Sequence, residues 1–413
     1  MPNDIMQTSF ENPFKPGAGH MPPYLAGRNH EQEEFRKSLK QKTILENIVL
    51  TGLRGVGKTV LLETLKPIAR QSGWLWVGQD MSEAASLTEQ NLTERMLADL
   101  AVVTSGLLVR KEKQMKMGFG SDEIEINHSL EFDDLKNIYN STPGLSSDKL
   151  KAVLIFVWQS IPSGSVPGIV FAYDEAQNLA DHAKKGEFPL SLMLDVFQSI
   201  QRMNIPYILI LTGLPTLFPK LVEARTYTER MFHVLFLSQL NEKDSEDAVL
   251  KPIQDDRCPI TFRTETVDQI VKMSGGYPYF IQFICREFFD TWISQKNKGE
   301  TMSVPSGAIT RKLDTDFFVG RWARATDRQR ELIQVIASLP NCDDEFTVQE
   351  ASDLSKKILE KPFSRSHVNQ MLSSLSDVGL VYKNRYGKYL FAVPLFSNFI
   401  RRQMDESIID QAG

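Results

Sequence analysis

Asn47-Ile-Val-Leu-Thr51, followed directly by Gly52-Leu-Arg-Gly-Val-Gly-Lys-Thr59, is the stretch that decides the fold. The first five residues form a short apolar run, which predicts a buried strand. The next eight fit the pattern Gly-x-x-x-x-Gly-Lys-Thr, and the apolar spacing from Lys58 to Arg70 predicts an amphipathic helix. A strand, a glycine-rich turn and a helix in this order form a loop whose backbone N–H groups can surround a polyphosphate.

Each residue type in this loop has a chemical reason. The glycines Gly52, Gly55 and Gly57 let phosphate oxygens approach the backbone without meeting a side chain. The ammonium group of Lys58 suits the β- and γ-phosphates of ATP, and the hydroxyl of Thr59 suits Mg²⁺. The residues predicted to bind ATP in this segment are Gly52, Leu53, Arg54, Gly55, Val56, Gly57, Lys58, Thr59 and Val60.

A second apolar run, Gly168 to Tyr173, ends in a pair of acids, Asp174 and Glu175. A carboxylate at the end of a buried strand can hold hydrated Mg²⁺, so Asp174 joins Thr59 as a predicted metal ligand and nucleotide contact. The adjacent Glu175 can orient the attacking water or take its proton. We therefore expect ATP hydrolysis at this pair. The alternative is an acidic pair on an ordinary surface.

Two further positions are candidates for the same reaction. Thr212 ends a third buried strand, where its hydroxyl could reach the γ-phosphate or could simply precede the next turn. Arg225 and Arg230 are predicted in a helix after that turn. A guanidinium there can stabilise the charge that develops on the ATP of a neighbouring subunit, and Arg230 is the preferred candidate. This predicts a homo-oligomer that forms through its ATP sites, against the alternative that both arginines are merely solvated.

A second unit is predicted from about Thr326, with three helices and two short strands, which is the pattern of a winged helix. Residues 361–388 carry five Lys or Arg and one acid, Asp377, a local net charge of +4. This concentration of charge predicts contact with duplex DNA, although packing or protein docking is the alternative. The residues predicted to contact DNA are Arg365, His367, Asn369, Lys383, Arg385 and Lys388.

The composition limits the other possibilities. A chain of 413 residues suits two or three domains, and a net charge of −5 argues against general binding of polyanions. The three cysteines show no CxxC spacing, which favours a reducing compartment. No apolar run approaches the roughly 18 residues that a membrane-spanning helix needs, so we expect no membrane contact and a cytoplasmic protein.

The order of these motifs resembles the AAA+ ATPases and, within them, the origin-recognition and initiator-like group, over roughly residues 20 to 400. The resemblance implies an α/β P-loop NTPase with a parallel sheet, a helical lid and a C-terminal winged-helix domain. It identifies Lys58 and Thr59 as Walker A, Asp174 and Glu175 as Walker B, Thr212 as sensor 1, Arg230 as the arginine finger and Tyr24 to Arg28 as the segment beside the adenine.

One departure from that group lies at the start of the predicted lid helix. The initiator group usually has an arginine there, called sensor 2, but this sequence reads Gly275-Gly-Tyr-Pro278. The Gly-x-Pro start is similar to the lid motif of the STAND signalling ATPases, which makes Pro278 a predicted nucleotide contact. The alternative is a proline that only begins a helix. Arg286 lies two turns later and is no obvious substitute, so we expect a slow ATP switch.

The predicted division of the chain is an extended arm at 1–23, an AAA+ core at 24–240, a lid at 241–300, a linker at 301–325 and a winged helix at 326–413. A polar insertion is expected at about 105–147. The first functional hypothesis is an ATP-dependent assembly factor that contacts DNA. The others are a STAND-like signalling ATPase and a transposase- or helicase-loader ATPase, because Asp174-Glu-Ala-Gln177 also resembles that last group.

Overall fold

The computed structural model describes residues 10–412, apart from 18, 107–109, 116–122, 302 and 304. The chain divides into two units. The first, called here the sheet unit, comprises Asn29–Gly52 and Leu61–Phe236. The second, called the lid unit, comprises Met1–Arg28, Leu53–Val60 and Leu237–Gly413. The glycine-rich loop therefore groups with the lid rather than with the strand from which it emerges.

The sheet unit alternates strands and helices. In chain order its elements are α1 (Asn29–Leu39), β1 (Asn47–Gly52), α2 (Lys58–Gln71), β2 (Leu75–Val77), α3 (Glu89–Thr104), β3 (Arg110–Met115), β4 (Glu123–His128), α4 (Phe132–Ser141), α5 (Ser146–Ser160), β5 (Ile169–Tyr173), α6 (Pro189–Arg202), β6 (Tyr207–Gly213), α7 (Leu217–Ala224), α8 (Thr228–Met231) and β7 (Phe232–Leu237).

The main sheet has the strand order β2-β5-β6-β1-β7, with parallel pairing from β2 to β1. Strands β1, β5 and β6 are buried at every residue, as apolar runs in a parallel sheet should be. Tyr173 lies beside Leu211, and Leu50 lies beside Thr212. The carboxyl ends of three strands are therefore adjacent, and the predicted α/β fold with a parallel sheet is confirmed.

The core of the sheet unit lies between the sheet and its flanking helices. The ring of Phe171 on β5 packs edge-on against Phe197 on α6, with centroids 5.2 Å apart. Tyr207 donates its hydroxyl to the carbonyl of Leu154 on α5 at 3.0 Å. In α/β proteins, ligands bind at the carboxyl ends of buried strands such as these.

The segment predicted as a polar insertion, 105–147, contains more regular structure than expected. β3 and β4 form an antiparallel hairpin, in which Ile124 lies opposite Gln114. Helix α4 was not predicted. Its first turn is capped because the Glu131 N–H donates to the Asp134 carboxylate at 2.9 Å, and Leu135 is fully buried. Residues 107–109 and 116–122 of the predicted insertion lie outside the described residues.

The lid unit is mainly helical beyond the loop. Its elements are α9 (Glu242–Leu250), α10 (Thr264–Ser274), α11 (Pro278–Lys298), α12 (Ser306–Leu313), a π-helical stretch (Asp314–Val319), α13 (Gly320–Trp322), α14 (Asp327–Ala337), β8 (Phe346–Thr347), α15 (Val348–Ile358), α16 (Arg365–Asp377), β9 (Val381–Arg385), β10 (Lys388–Phe391) and α17 (Phe396–Ala412). Among the described helices, none is both long enough and apolar enough to cross a membrane.

The elements from α14 to β10 are three helices and an antiparallel sheet ordered β8-β10-β9. The assignment of this region as a winged helix stays a prediction. The three predicted helices and two predicted strands are present within a few residues, whereas β8 and α17 were not predicted. Met371, Leu372 and Leu375 on α16 are buried. The opposite face of α16 is exposed to solvent, which leaves its polar residues accessible.

Two segments predicted to be irregular are packed into the core of the lid unit. Residues 301–325 were predicted as a linker, but much of this segment is helical, with Leu313 and Phe318 buried. In the arm, Phe14 is only 1% exposed and stacks on Phe262 with ring centroids 6.4 Å apart. The side chain of Asn12 donates to the Asp290 carboxylate at 2.8 Å.

Candidate nucleotide site

The glycine-rich loop has a backbone shape that L-amino acids with side chains rarely adopt. Gly55 and Gly57 have φ angles of +81° and +88°, in the left-handed region that glycine tolerates. A Cβ atom added to Gly57 would meet no heavy atom within 4 Å, so the loop has open space at that position. This open backbone fits the phosphate chain of a nucleotide, which needs N–H groups within reach and no intervening side chain.

Contacts inside the lid unit hold the loop in this shape. The Tyr279 N–H, at the start of α11, donates to the Gly55 carbonyl at 3.1 Å. The guanidinium of Arg28 is 5% exposed and donates to the carbonyls of Val56 at 2.9 Å and Ser238 at 2.7 Å. Arg28 was predicted as part of a segment beside the adenine, and its observed contacts brace the loop.

Lys58 and Thr59 lie at the start of α2, as the motif predicts, and both are half-buried. The Lys58 ammonium donates to the Leu53 carbonyl at 2.9 Å, so it reaches back across the loop. In the arm, a Cβ atom on Gly19 would lie 3.6 Å from the Thr59 methyl group. The arm therefore passes close to the predicted Mg²⁺ ligand.

The start of α11 shows why its glycines and proline are needed. Gly275 and Gly276 have φ angles of +57° and +74°, and a Cβ on Gly276 would stand 2.5 Å from the Leu240 carbonyl oxygen. Pro278 is the first helical residue, a position where its missing N–H costs nothing. These contacts account for the motif as a tight turn between helices. Contact of Pro278 with a nucleotide stays a prediction.

In the sheet unit, Asp174 follows β5 and is 3% exposed. Its backbone N–H donates to the Gln79 carbonyl at 3.3 Å, and its carbonyl accepts from the Met81 N–H at 2.8 Å. One carboxylate oxygen accepts the Glu175 N–H at 2.8 Å. The carboxylate is therefore fixed at the end of a buried strand, the position that its predicted role as a metal ligand requires.

Glu175 has an unusual backbone for a residue with a side chain. Its φ and ψ angles are 52° and 31°, in the left-handed region, which costs about 1–2 kcal/mol for an L-residue. The side chain is exposed, and its carboxylate accepts a hydrogen bond from the Gln177 amide. Strain of this kind persists when the surrounding structure imposes it and is common at functional sites.

Two threonine hydroxyls near the strand ends are buried without a hydrogen-bond partner among the described residues. They belong to Thr212, which is fully buried on β6, and to Thr51, which is 3% exposed on β1. A buried unpaired hydroxyl costs about 1–3 kcal/mol and calls for an explanation. A ligand oxygen would supply one. Thr212 was a predicted site residue, whereas Thr51 was assigned only to the strand.

The two candidate arginines have different surroundings. Arg225 was predicted within a helix, but this is wrong: α7 ends at Ala224 and Arg225 is extended. Its guanidinium donates to both oxygens of Asp195, at 3.0 and 2.8 Å. Burial acts to raise the pKa of Asp195, yet hydrogen bonds from Arg225 and Tyr227 hold that pKa below its usual value. Arg225 is thus committed to a structural pair.

Arg230 lies in the short helix α8, as predicted. Its side chain is exposed and forms no ion pair with any of the described residues. The structure therefore leaves this guanidinium available at the surface. Its role as an arginine finger stays a prediction.

The predicted DNA-contacting residues lie on two elements of the lid unit. Arg365, His367 and Asn369 are exposed on α16, Lys383 and Arg385 are exposed on β9, and Lys388 is half-buried on β10. Not all of them are free of other contacts: Asn369 accepts the Tyr389 hydroxyl at 3.3 Å, and the His367 ring packs edge-on against Phe363. Their contact with DNA stays a prediction.

An acid outside the predicted basic segment pairs with one of its basic residues. Glu345, just before β8, accepts the Arg385 Nε at 2.9 Å and the Asn384 side chain at 2.7 Å. Hydrogen bonds from these two residues lower the pKa of Glu345 below its usual value. The segment 361–388 keeps its net charge of +4, but Glu345 from outside it neutralises the charge of Arg385. Separation in sequence hid this pairing.

Comparisons with known proteins show the fold. A domain of unknown function (DUF8462) matches residues 315–400, and no curated protein matches the sequence. The solved structure of the Aeropyrum pernix ORC2 protein in its ADP form has a TM-score of 0.54 and 13% identity, covering 94% of this chain and 97% of that one. The structure of the same protein in its ADPNP–ADP complexes has a TM-score of 0.52 and 12% identity, covering 94% of this chain and 98% of that one. The chain therefore shares the fold of these ORC2 structures.

Proposed function

We propose that the chain binds ATP with Mg²⁺ and hydrolyses it slowly, as a switch in a DNA transaction. The observation that carries this proposal is the loop after β1, whose glycines Gly55 and Gly57 take left-handed angles and leave an open backbone. The similar ORC2 structures were solved with ADP or with ADPNP and ADP, which supports a nucleotide as the ligand.

Each predicted site residue has a place in this mechanism. The loop N–H groups and the Lys58 ammonium bind the phosphates, and Lys58 exchanges its bond to the Leu53 carbonyl for one to a phosphate oxygen. Thr59 and Asp174 are the residues that would hold Mg²⁺, and the ion would neutralise phosphate charge. Glu175 orients the attacking water and accepts its proton. The buried Thr212 hydroxyl donates to the water or to the γ-phosphate.

Two features support slow turnover and dependence on assembly. At the start of α11, the backbone N–H of Tyr279 contacts the loop. The initiator group usually carries the sensor 2 arginine near the start of this helix, and this chain has none there. The Arg286 Nε lies 3.8 Å from the Asp290 carboxylate, and the Arg286 carbonyl accepts a hydrogen bond from the Asn12 side chain. Arg286 therefore contacts the arm. The exposed Arg230 then acts on the ATP of a neighbouring copy, and the cation for the transition state arrives only in an oligomer.

DNA contact is proposed for the exposed face of α16 and for the hairpin of β9 and β10, mainly through Arg365 and Lys383. The loop is linked to this region within the lid unit: the Arg54 guanidinium lies 3.7 Å from the position that a Cβ on Gly379 would take, just after α16. Nucleotide in the loop would therefore affect α16 through Arg54. The pairing of Arg385 with Glu345 favours a second candidate function, a STAND-like or loader-type ATPase that acts through a protein partner.

One purification tests these proposals. The wild-type chain, with a non-hydrolysable ATP analogue and Mg²⁺, is sized by light scattering with and without duplex DNA. A nucleotide-dependent oligomer that also shifts with DNA supports the first function. An oligomer that does not bind DNA at low salt supports the second function, the ATPase that acts through a protein partner. A chain that binds no ATP analogue overturns both functions.

A further inference from the structure

The side chain of Gln177 connects two parts of the strand-end site in the sheet unit. Its amide N–H donates to the Glu175 carboxylate, and its amide oxygen accepts the Leu214 N–H at 3.1 Å. Leu214 follows β6 directly, two residues beyond Thr212. One amide therefore joins the exposed acid after β5 to the turn after β6.

Several contacts fix this amide in place. The Gln177 carbonyl accepts the Lys220 ammonium at 2.7 Å. Burial lowers the pKa of Lys220, although the nearby Asp181 and Glu223 carboxylates act to raise it. At Gly213, a Cβ atom would stand 2.6 Å from the Gln177 amide oxygen, so glycine is needed for the amide to reach Leu214. Gln177 is therefore held both at its main-chain carbonyl and at its side-chain amide.

Glu175 has few other constraints on its carboxylate. It is exposed, and the amide of Gln177 is the donor to its carboxylate among the described contacts. An acid that must receive a proton from one water needs a fixed direction, because a displacement of about 1 Å can cost roughly 10²-fold in rate. An exposed glutamate without a donor would sample several rotamers instead.

We propose that Gln177 is a positioning residue of the hydrolytic site, which aims the Glu175 carboxylate and ties it to the end of β6. This inference rests on the proposed ATPase function. Gln177 itself does not touch the reacting atoms. It transmits the position of the turn after Thr212 to the acid, so that movement of this turn when nucleotide arrives would redirect Glu175.

Two substitutions separate this role from a purely structural one. Gln177→Glu keeps an oxygen that can accept the Leu214 N–H but removes the donor to Glu175. Gln177→Met removes both contacts at similar length. We expect both variants to bind a fluorescent ATP analogue like wild type, with an unchanged KM and a kcat lowered about 10- to 100-fold. The matched control is Gln90→Met, which removes an exposed amide–carboxylate bond to Glu94 on α3 and should leave kcat unchanged.

Comparison with Glu175→Gln completes the test. If Gln177 acts through Glu175, adding Gln177→Met to Glu175→Gln slows hydrolysis no further. A multiplied loss in the double variant, or Gln177→Glu at the wild-type rate, would overturn the inference while leaving the ATPase function intact. Thermal unfolding checks each variant, and Gln177→Glu carries the test if Gln177→Met does not fold. A wild-type chain without ATPase activity would overturn the proposed function, and this inference with it.

Discussion

The backbone N–H of Tyr279 donates to the carbonyl of Gly55 at 3.1 Å, so the first turn of α11 is tied to the middle of the glycine-rich loop. The first N–H groups of any helix lack partners within the helix. Pro278 has none to offer, and the loop carbonyl satisfies the next one. The lid helix and the loop therefore support each other's conformation.

This relationship predicts the effect of Gly55→Ala. The φ angle of +81° is unfavourable for alanine by about 1–2 kcal/mol, and the new Cβ would stand 3.1 Å from the Tyr279 Cβ. We expect a lower melting temperature and at least tenfold weaker binding of an ATP analogue. Gly307→Ala in α12, whose Cβ meets only an arginine tip at 3.8 Å, is the control and should match wild type. Unchanged binding by Gly55→Ala would contradict the loop assignment.

Lys58→Ala should abolish ATP binding, because the phosphates lose their point charge. Titration of a fluorescent ATP analogue measures the affinity directly. Lys66→Ala, further along the same helix, is the matched control, since the Lys66 ammonium forms a long ion pair with the Glu63 carboxylate at 3.9 Å and should be dispensable. If Lys58→Ala binds as tightly as wild type, the nucleotide lies elsewhere.

Glu175→Gln should keep the ATP affinity and slow hydrolysis by about 10²-fold or more, because it removes only the proton acceptor. Single-turnover assays separate the two quantities. Asp174→Asn should instead raise the Mg²⁺ concentration needed for half-maximal activity, and chelation of Mg²⁺ should stop turnover of the wild type. Glu33→Gln, at an exposed position on α1, is the control. A Glu175→Gln variant with the wild-type rate would place the base on another residue.

Duplex DNA binding should fall steeply with salt, because basic side chains displace counterions from the phosphates. Replacing Arg365, Lys383 and Arg385 together by Glu should abolish it. Because Arg385 is already paired with Glu345, Arg385→Glu alone should reduce the DNA affinity less than Arg365→Glu does. Lys356→Glu on α15 is the control. No binding by wild type at low salt, with or without ATP, would favour the protein-partner function.

Arg230→Ala should bind ATP normally and hydrolyse it poorly. Arginine fingers contribute roughly 10³–10⁵ in rate in well-studied systems, and a slow switch could use less. Mixing this variant with Lys58→Ala should restore part of the activity, since each supplies what the other lacks. Arg225→Ala should differ by lowering stability, because Asp195 loses its bidentate partner. A specific activity independent of dilution, without rescue on mixing, would make the protein a monomeric ATPase.

The parts of the fold that sequence predicted well are those with strong local patterns. β1, β5 and β6 are buried along their whole length and consist mostly of apolar residues, and each was placed within one or two residues. The loop was identifiable because its chemistry fixes residue types at fixed spacing. The position of Asp174 was also predictable, because it directly follows a buried strand. Its role as a metal ligand stays a prediction.

The parts that sequence missed depend on contacts between distant positions. Arg28 braces Val56 and Ser238, and Glu345 pairs with Arg385, but no local pattern links residues so far apart. Helix α4 was missed because flanking glycines and polar residues suggested a loop, although the spacing of Phe132, Leu135 and Tyr139 was a usable signal. The helical segment 306–322 was missed because its start follows a polar, glycine-containing stretch.

The packing of Phe14 has a practical consequence. Because this ring covers Phe262 and is almost fully buried, a shortened chain that begins at Tyr24 would expose aromatic surface from the lid to water. Such a surface promotes aggregation, and aggregates in a sizing experiment are easily mistaken for specific assembly. Tests of ATP-dependent oligomers therefore need the arm in place, with Phe14→Ser as the variant that shows how the aggregated material elutes.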